Sequence, residues 1–81
     1  MSGPMCIAKQ SGLYFTGSEA SEACSENLLR LPQFWAWHPS GELDAWICNH
    51  HANIVRARLA DKYYLPEQIR KAQAAAGSLT Q

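Results

Sequence analysis

Thiol and imidazole side chains crowd together at one place in the chain, Cys48-Asn49-His50-His51. Cys48 and His51 are three residues apart, a spacing that lets both reach one ion from a helix, and sulfur with nitrogen is the donor combination that tetrahedral zinc takes. Cys6, Cys24 and His38 are further donors of the right kind, each isolated in the sequence. Structural zinc sites are usually assembled from two close-spaced ligand pairs, and here there is one. The spacing therefore predicts no cofactor, with zinc on Cys48 and His51 as the alternative. Without a metal, Cys48 packs as a small hydrophobe and His50 and His51 sit at the rim of the core.

Catalytic sets are harder to assemble. A cysteine nucleophile needs a base within reach and an electropositive setting for thiolate and oxyanion, and Cys48 with His51 meets only the first condition. Ser40, in Ser-Gly-Glu, lacks the glycine spacing and the strand-turn-helix surroundings of a nucleophile elbow. Glu42 and Asp44 are two apart, so on a helix they do not face each other. There is no glycine-rich phosphate loop of either common spacing. The expectation is a protein that is not an enzyme.

Two groups of residues suit binding instead. Phe34, Trp35 and Trp37 stand in one aromatic run, and Trp35 and Trp37 diverge by about 200° on a helical turn and point to opposite faces of a strand, so at least one is expected at the surface. Tryptophan is a frequent anchor of partner interfaces, which makes Phe34, Trp35 and Trp37 the candidate protein-binding residues; a core capped by all the tryptophans is the competing reading. Arg56, Arg58, Lys62, Arg70 and Lys71 give the C-terminal third a basic character and form the candidate nucleic-acid surface, against the plainer reading of a solvated helix face that Asp61 partly neutralises.

The elements that would position these residues must come from a short chain. At 81 residues one hydrophobic core is expected, in a single domain spanning residues 1–81. Apolar residues make up 47% of the chain and charged residues 17%, which excludes a disordered segment. A core of this size supplies only about 3–5 kcal/mol of net stability, so a partner or a second copy, as in a homodimer, is a natural support. The net charge of zero separates into −3 over residues 1–51 and +3 over residues 52–81, which gives little long-range attraction to phosphate. Met1–Ser11 has no signal-peptide pattern and no run is apolar enough to span a membrane, while three widely spaced cysteines match no secreted disulfide scaffold. A reducing cytoplasm is the expected compartment.

The periodicity predicts a mainly α fold of three to four helices with a short N-terminal β-hairpin. Met5-Cys6-Ile7-Ala8 and Leu13-Tyr14-Phe15, separated by Lys9-Gln10-Ser11-Gly12, read as a hairpin over 5–16. Ala20, Ala23, Cys24, Leu28 and Leu31 fall at helical spacing, predicting a helix over 18–31 capped by Ser18 or Ser21. Ala45, Cys48, Ala52, Val55, Leu59 and Tyr63 trace one face of a principal helix over 42–64. A competing reading pairs Phe34–Trp37 with Leu43–Ile47 as a hairpin around Pro39-Ser40-Gly41 and starts that helix at about residue 49. Pro66 opens a last helix over 66–76, Gly77 is placed to cap it, and 78–81 reads as a frayed tail.

Thr16-Gly17-Ser18-Glu19-Ala20-Ser21-Glu22 resembles the start of the first helix of the small excisionase-like winged-helix regulators, and Glu42-Leu43-Asp44-Ala45-Trp46-Ile47 resembles their closing helix. The resemblance covers about a third of the chain and implies DNA binding. The leading expectation is a non-enzymatic protein-interaction module, an inhibitor or adaptor of the kind mobile elements encode, that binds a protein partner through Phe34, Trp35 and Trp37. The alternatives are a small excisionase-like DNA-binding regulator using the basic C-terminal helices and a zinc-stabilised binding domain.

Overall fold

Leu28-Leu29-Arg30-Leu31 fits two periods at once: the leucines suit a helix, and Leu29 and Leu31 alternate with Leu28 and Arg30 as in a half-buried strand. In the computed structural model, which describes residues 5–10, 14–59 and 63–79, the strand period wins. β1 (Leu28–Leu31) pairs antiparallel with β2 (Ala45–Cys48), in the register Leu28↔Cys48, Leu29↔Ile47, Arg30↔Trp46 and Leu31↔Ala45. That register puts Leu29, Leu31, Ala45 and Ile47 into the core, all at most 7% exposed. The outer face carries Arg30 opposite Trp46.

Two strands do not hold together alone in water, so helices must cover the buried face. α3 (Asn49–Arg58) follows β2 without a break and turns His51, Ala52 and Val55 inward. α4 (Tyr64–Leu79) lays Leu65 and Ile69 into the same core, with Ala72 and Ala76 packed against it, a stripe of i, i+4 and i+7 steps. α1 (Ile7–Gln10) is one turn whose Ile7 and Ala8 are buried. α2 (Gly17–Ser21) is another, opened by a capping box: Thr16 Oγ1 accepts from the Glu19 N–H while the Glu19 carboxylate accepts from the Thr16 N–H.

The expected mainly α fold with an N-terminal hairpin is thus corrected, among the described residues, to four helices and a two-stranded antiparallel sheet in the middle of the chain. The 5–16 hairpin is replaced by α1, with residues 11–13 outside the described residues. The 18–31 helix stops after one turn, at Glu22 with extended backbone, and its N-cap is Thr16 rather than Ser18 or Ser21. A five-residue helix has too few internal bonds to propagate, whereas Leu28–Leu31 gains a ladder and a buried face from β2. The 42–64 helix is replaced by β2 and α3, because Trp46 and Ile47 pack well in a pleated sheet and Cys48 caps the helix that follows. Glu42–Ile47, a closing helix under the excisionase-like resemblance, accordingly holds no helix. α4 extends beyond both ends of the predicted 66–76 span: Gly77 is helical rather than a cap and the helix reaches into the 78–81 tail, of which 80–81 lie outside the described residues.

Between the strands, residues 32–44 fold over the end of the core. Gln33 adopts φ 59° and Gly41 φ 86°. Asp44 closes this loop, accepting from the Gln33 N–H at 3.0 Å and from Arg30 Nε at 2.8 Å, and the Trp35 N–H donates to the Leu43 carbonyl at 2.7 Å. His38, Ser40 and Gly41 form the expected turn, with the Gly41 N–H donating to the His38 carbonyl. No helix among the described residues is long and apolar enough to cross a membrane.

Candidate metal centre

The junction of β2 and α3 brings together residues that the sequence keeps far apart. Cys48 is the last residue of β2 and the N-cap of α3, so its Sγ stands over the free amides of the first helical turn, where it accepts from the His51 N–H at 3.3 Å. One turn on, His51 points its ring the same way, with Nδ1 3.0 Å from Cys48 Sγ. Cys6 arrives from the start of α1, next to β2 through a parallel bridge between Cys6 and Trp46, and its Sγ accepts from the Cys48 N–H at 3.3 Å. Cys24 arrives from the irregular stretch between α2 and β1, with Sγ 3.7 Å from His51 Nδ1.

The Cys24 stretch is fastened to the start of α3 by three bonds. The Asn49 N–H donates to the Asn27 carbonyl at 2.9 Å, the His50 N–H donates to Ser25 Oγ at 3.3 Å, and His50 Nε2 meets the Glu22 carboxylate at 2.7 Å. His50, read from the sequence as a rim histidine, therefore serves the scaffold and not the cluster.

The four donor atoms of Cys6, Cys24, Cys48 and His51 all lie within 4.8 Å of one another. A tetrahedral zinc with Zn–S near 2.3 Å and Zn–N near 2.0–2.1 Å has S···N edges of about 3.5 Å and S···S edges of about 3.8 Å. The observed 3.0 and 3.7 Å sulfur–nitrogen distances bracket that edge. A two-metal centre, with ions about 3.5–4 Å apart, needs a wider ligand set.

The histidine tautomer gives an independent indication. His51 Nε2 lies 2.8 Å from the Glu19 carbonyl oxygen. A carbonyl only accepts, so Nε2 carries a proton, and a ring with that one proton turns its Nδ1 lone pair toward the sulfurs, as a metal ligand must. Holding the far ring nitrogen on a backbone carbonyl is the usual support of a metal-bound histidine. Phe15 covers the ring edge-on at 5.2 Å, and His51 is fully buried.

Without an ion the three thiols compete. Burial works against the Cys48 thiolate, but the His51 N–H, the His51 ring, the Ser25 N–H and the Cys24 thiol bond to it and together bring its pKa down to about 6. Cys24 moves the other way, to about 12, through desolvation first and then its bonds to Cys48 and Cys6 and their charges. A second thiolate beside the first is unfavourable, and a divalent cation is the group that removes the conflict. Three thiolates and one imidazole are soft donors that suit zinc and disfavour calcium or magnesium. They also fill four positions, the arrangement of a structural site rather than one with a coordination position open for substrate.

The sequence reading named Cys48 and His51 and counted Cys6 and Cys24 as lone further donors. The fold supplies their convergence, with the Glu19 carbonyl as an outer partner that no side-chain pattern could announce. His38 is placed elsewhere: its Nδ1 is 2.8 Å from Ser40 Oγ, and its ring lies 4.9 Å from that of Trp35.

The candidate interface residues separate. Phe34 and Trp35 are core residues at 3% and 1% exposure, whereas Trp37 is 61% exposed. Their burial follows from the loop, which folds both rings under the Leu43 and Asp44 bonds. Among the basic residues, Arg56 donates to Gln73 Oε1 at 2.8 Å, Arg58 bonds the Tyr14 carbonyl and lies 3.5 Å from Glu19, and Lys71 lies 3.8 Å from Glu67. Arg70 is exposed, and Lys62 lies outside the described residues. Arg58 thus ties the Tyr14–Glu19 region to α3, beside the helix that carries His51.

Comparison with protein families, with curated proteins and with solved structures finds no match to this chain.

Proposed function

We propose that this chain is a small zinc-stabilised binding domain, in which Cys6, Cys24, Cys48 and His51 hold one structural zinc and the domain acts by presenting a surface to a protein partner rather than by catalysis. The observation that carries the reading is the convergence of four soft donors from three separate segments within 4.8 Å. The Nε2 proton of His51, fixed on the Glu19 carbonyl, and the N–H groups aimed at Cys6 and Cys48 supply the surroundings such an ion needs. For the partner surface, Trp37 is the exposed member of the aromatic run, with Leu43 and Tyr64 also exposed among the residues around Phe34 and Trp35.

Native mass spectrometry of the chain purified without chelator tests the zinc. One zinc per chain is expected, and both Cys48→Ala and His51→Ala should abolish it. A folded, monodisperse chain that takes up no zinc on addition of the ion would sink the proposal.

A further inference from the structure

The four donors differ sharply in access. Cys48 and His51 are fully buried and Cys6 is 4% exposed, whereas Cys24 is an exposed residue whose thiol is only part-buried where it joins the cluster. Of the buried three, Cys6 is bridged to Trp46 just ahead of α1, Cys48 ends β2 and His51 lies in α3. Cys24 sits on a stretch with neither helix, strand nor bridge, fastened at its two sides by Glu22, Ser25 and Asn27. A small oxidant from solvent therefore meets one sulfur of the centre before the others.

We propose that Cys24 is a modification site for hydrogen peroxide and that its oxidation releases the metal. This rests on the zinc reading above. The Cys24 thiolate attacks the peroxide: a sulfur–oxygen bond forms, the oxygen–oxygen bond breaks, and with one proton the products are Cys24 sulfenic acid and water. The sulfur of a sulfenic acid is a poor zinc ligand and a good electrophile. A second thiolate, Cys6 or Cys48, whose sulfur lies within 4.8 Å, attacks it; a disulfide forms, and hydroxide leaves and takes up a proton as a second water. Overall, two thiolates, one peroxide and two protons give one disulfide and two waters. The zinc is left with one thiolate and one imidazole and dissociates. A dithiol reductant and fresh zinc restore the centre.

The release disturbs one connection selectively. With Cys24 drawn into a disulfide, the link between α2 and β1 must shift against α3, so the His50–Glu22 and Asn49–Asn27 contacts are the first to loosen.

The test uses the zinc-loaded full chain with hydrogen peroxide and a chromogenic zinc chelator in excess. One zinc released and two thiols lost per peroxide consumed are expected, with peptide mapping placing Cys24 in the disulfide. Cys24→His keeps a zinc ligand and should release zinc at least about tenfold more slowly at equal peroxide. Zinc that stays bound under peroxide, or a first disulfide joining Cys6 to Cys48, would overturn the inference while leaving the zinc reading intact. A chain that carries no zinc before peroxide is added fails the zinc reading itself. Disulfide mapping on the unmutated chain decides the matter even where Cys24→His does not load.

Discussion

The two ends of the hairpin are closed in different ways. At the Leu31↔Ala45 end, the loop over 32–44 brings Phe34 and Trp35 into the core and ties itself shut through Asp44, so aromatic burial and hydrogen bonds do the work. At the Leu28↔Cys48 end, three segments distant in sequence meet on sulfur and imidazole, and two of the elements involved, α1 and α2, are single turns. Ordinary burial closes the first end, whereas helices of four and five residues cannot stand without an external tie. Under the zinc reading, one core and one ion divide the stabilisation of a chain too short for a larger core.

The largest effect should come from breaking the sulfur end. Apparent metal contributions in small zinc domains run to about 10–16 kcal/mol at neutral pH, more than a core of this size supplies. Cys48→Ala and His51→Ala, or a strong chelator on the unmutated chain, should abolish the cooperative thermal transition or lower it by tens of degrees, followed by circular dichroism with and without zinc. A transition that chelator does not move would mean that both ends are held by packing alone.

Trp35→Ala attacks the other end. Emptying a fully buried tryptophan site costs about 3–5 kcal/mol, and the loss should appear as a lower melting temperature in zinc-loaded protein while zinc stoichiometry stays at one per chain. Trp35→Phe should cost less, because the indole N–H of Trp35 finds no acceptor among the described residues and its removal leaves no polar group stranded. If Trp35→Ala also abolished zinc binding, the two ends would be one cooperative unit and the contrast would fail.

Legibility in the sequence follows the same division. α4 was readable over 66–76 because Pro66 is a local helix-start signal, whereas the Gly77 signal for its end misled. Cys48 with His51 was readable because the two ligands share one turn. The pairing of Leu28–Leu31 with Ala45–Cys48 was not, since Leu28 and Leu31 are three apart and satisfy a helix as well as a strand; only burial against β2 decides between them. The contributions of Cys6 and Cys24 were hidden for a related reason. They reach Cys48 through tertiary contacts across 42 and 24 positions, where spacing rules for ligand pairs carry no information. The candidate interface divided along the same line: the sequence placed at least one tryptophan of the run at the surface, and the loop geometry selects Trp37.

A smaller effect is expected at Asp44, the clasp of the aromatic end. The Gln33 N–H and then the Arg30 guanidinium bond its carboxylate and hold its pKa below the ordinary value of 3.8. A carboxyl whose folded pKa is lowered contributes stability that is present above its unfolded pKa and is lost as pH falls through the folded value. Thermal melts of the unmutated chain should therefore lose stability as pH drops below 3.8, and Asp44→Asn should lose part of that dependence. Acid protonates the metal ligands as well, so the comparison is made between the two proteins at equal zinc occupancy.

The smallest stability change belongs to Trp37. At 61% exposure its ring lies 5.5 Å from that of Trp35 and 5.6 Å from that of His38, with most of its surface in solvent. Surface substitutions of this kind stay within about 0.5 kcal/mol, so Trp37→Ala should leave the melting temperature and the zinc content nearly unchanged. Iodide quenching separates the tryptophans independently: the readily quenched fraction should fall in Trp37→Phe and persist in Trp35→Phe, with half-buried Trp46 contributing alike to both. A tryptophan that can be removed without loss of stability is retained for something outside the fold. If Trp37→Ala instead destabilised the chain as much as Trp35→Ala, the aromatic run would be a single core cluster and the surface would have to be sought elsewhere on the domain.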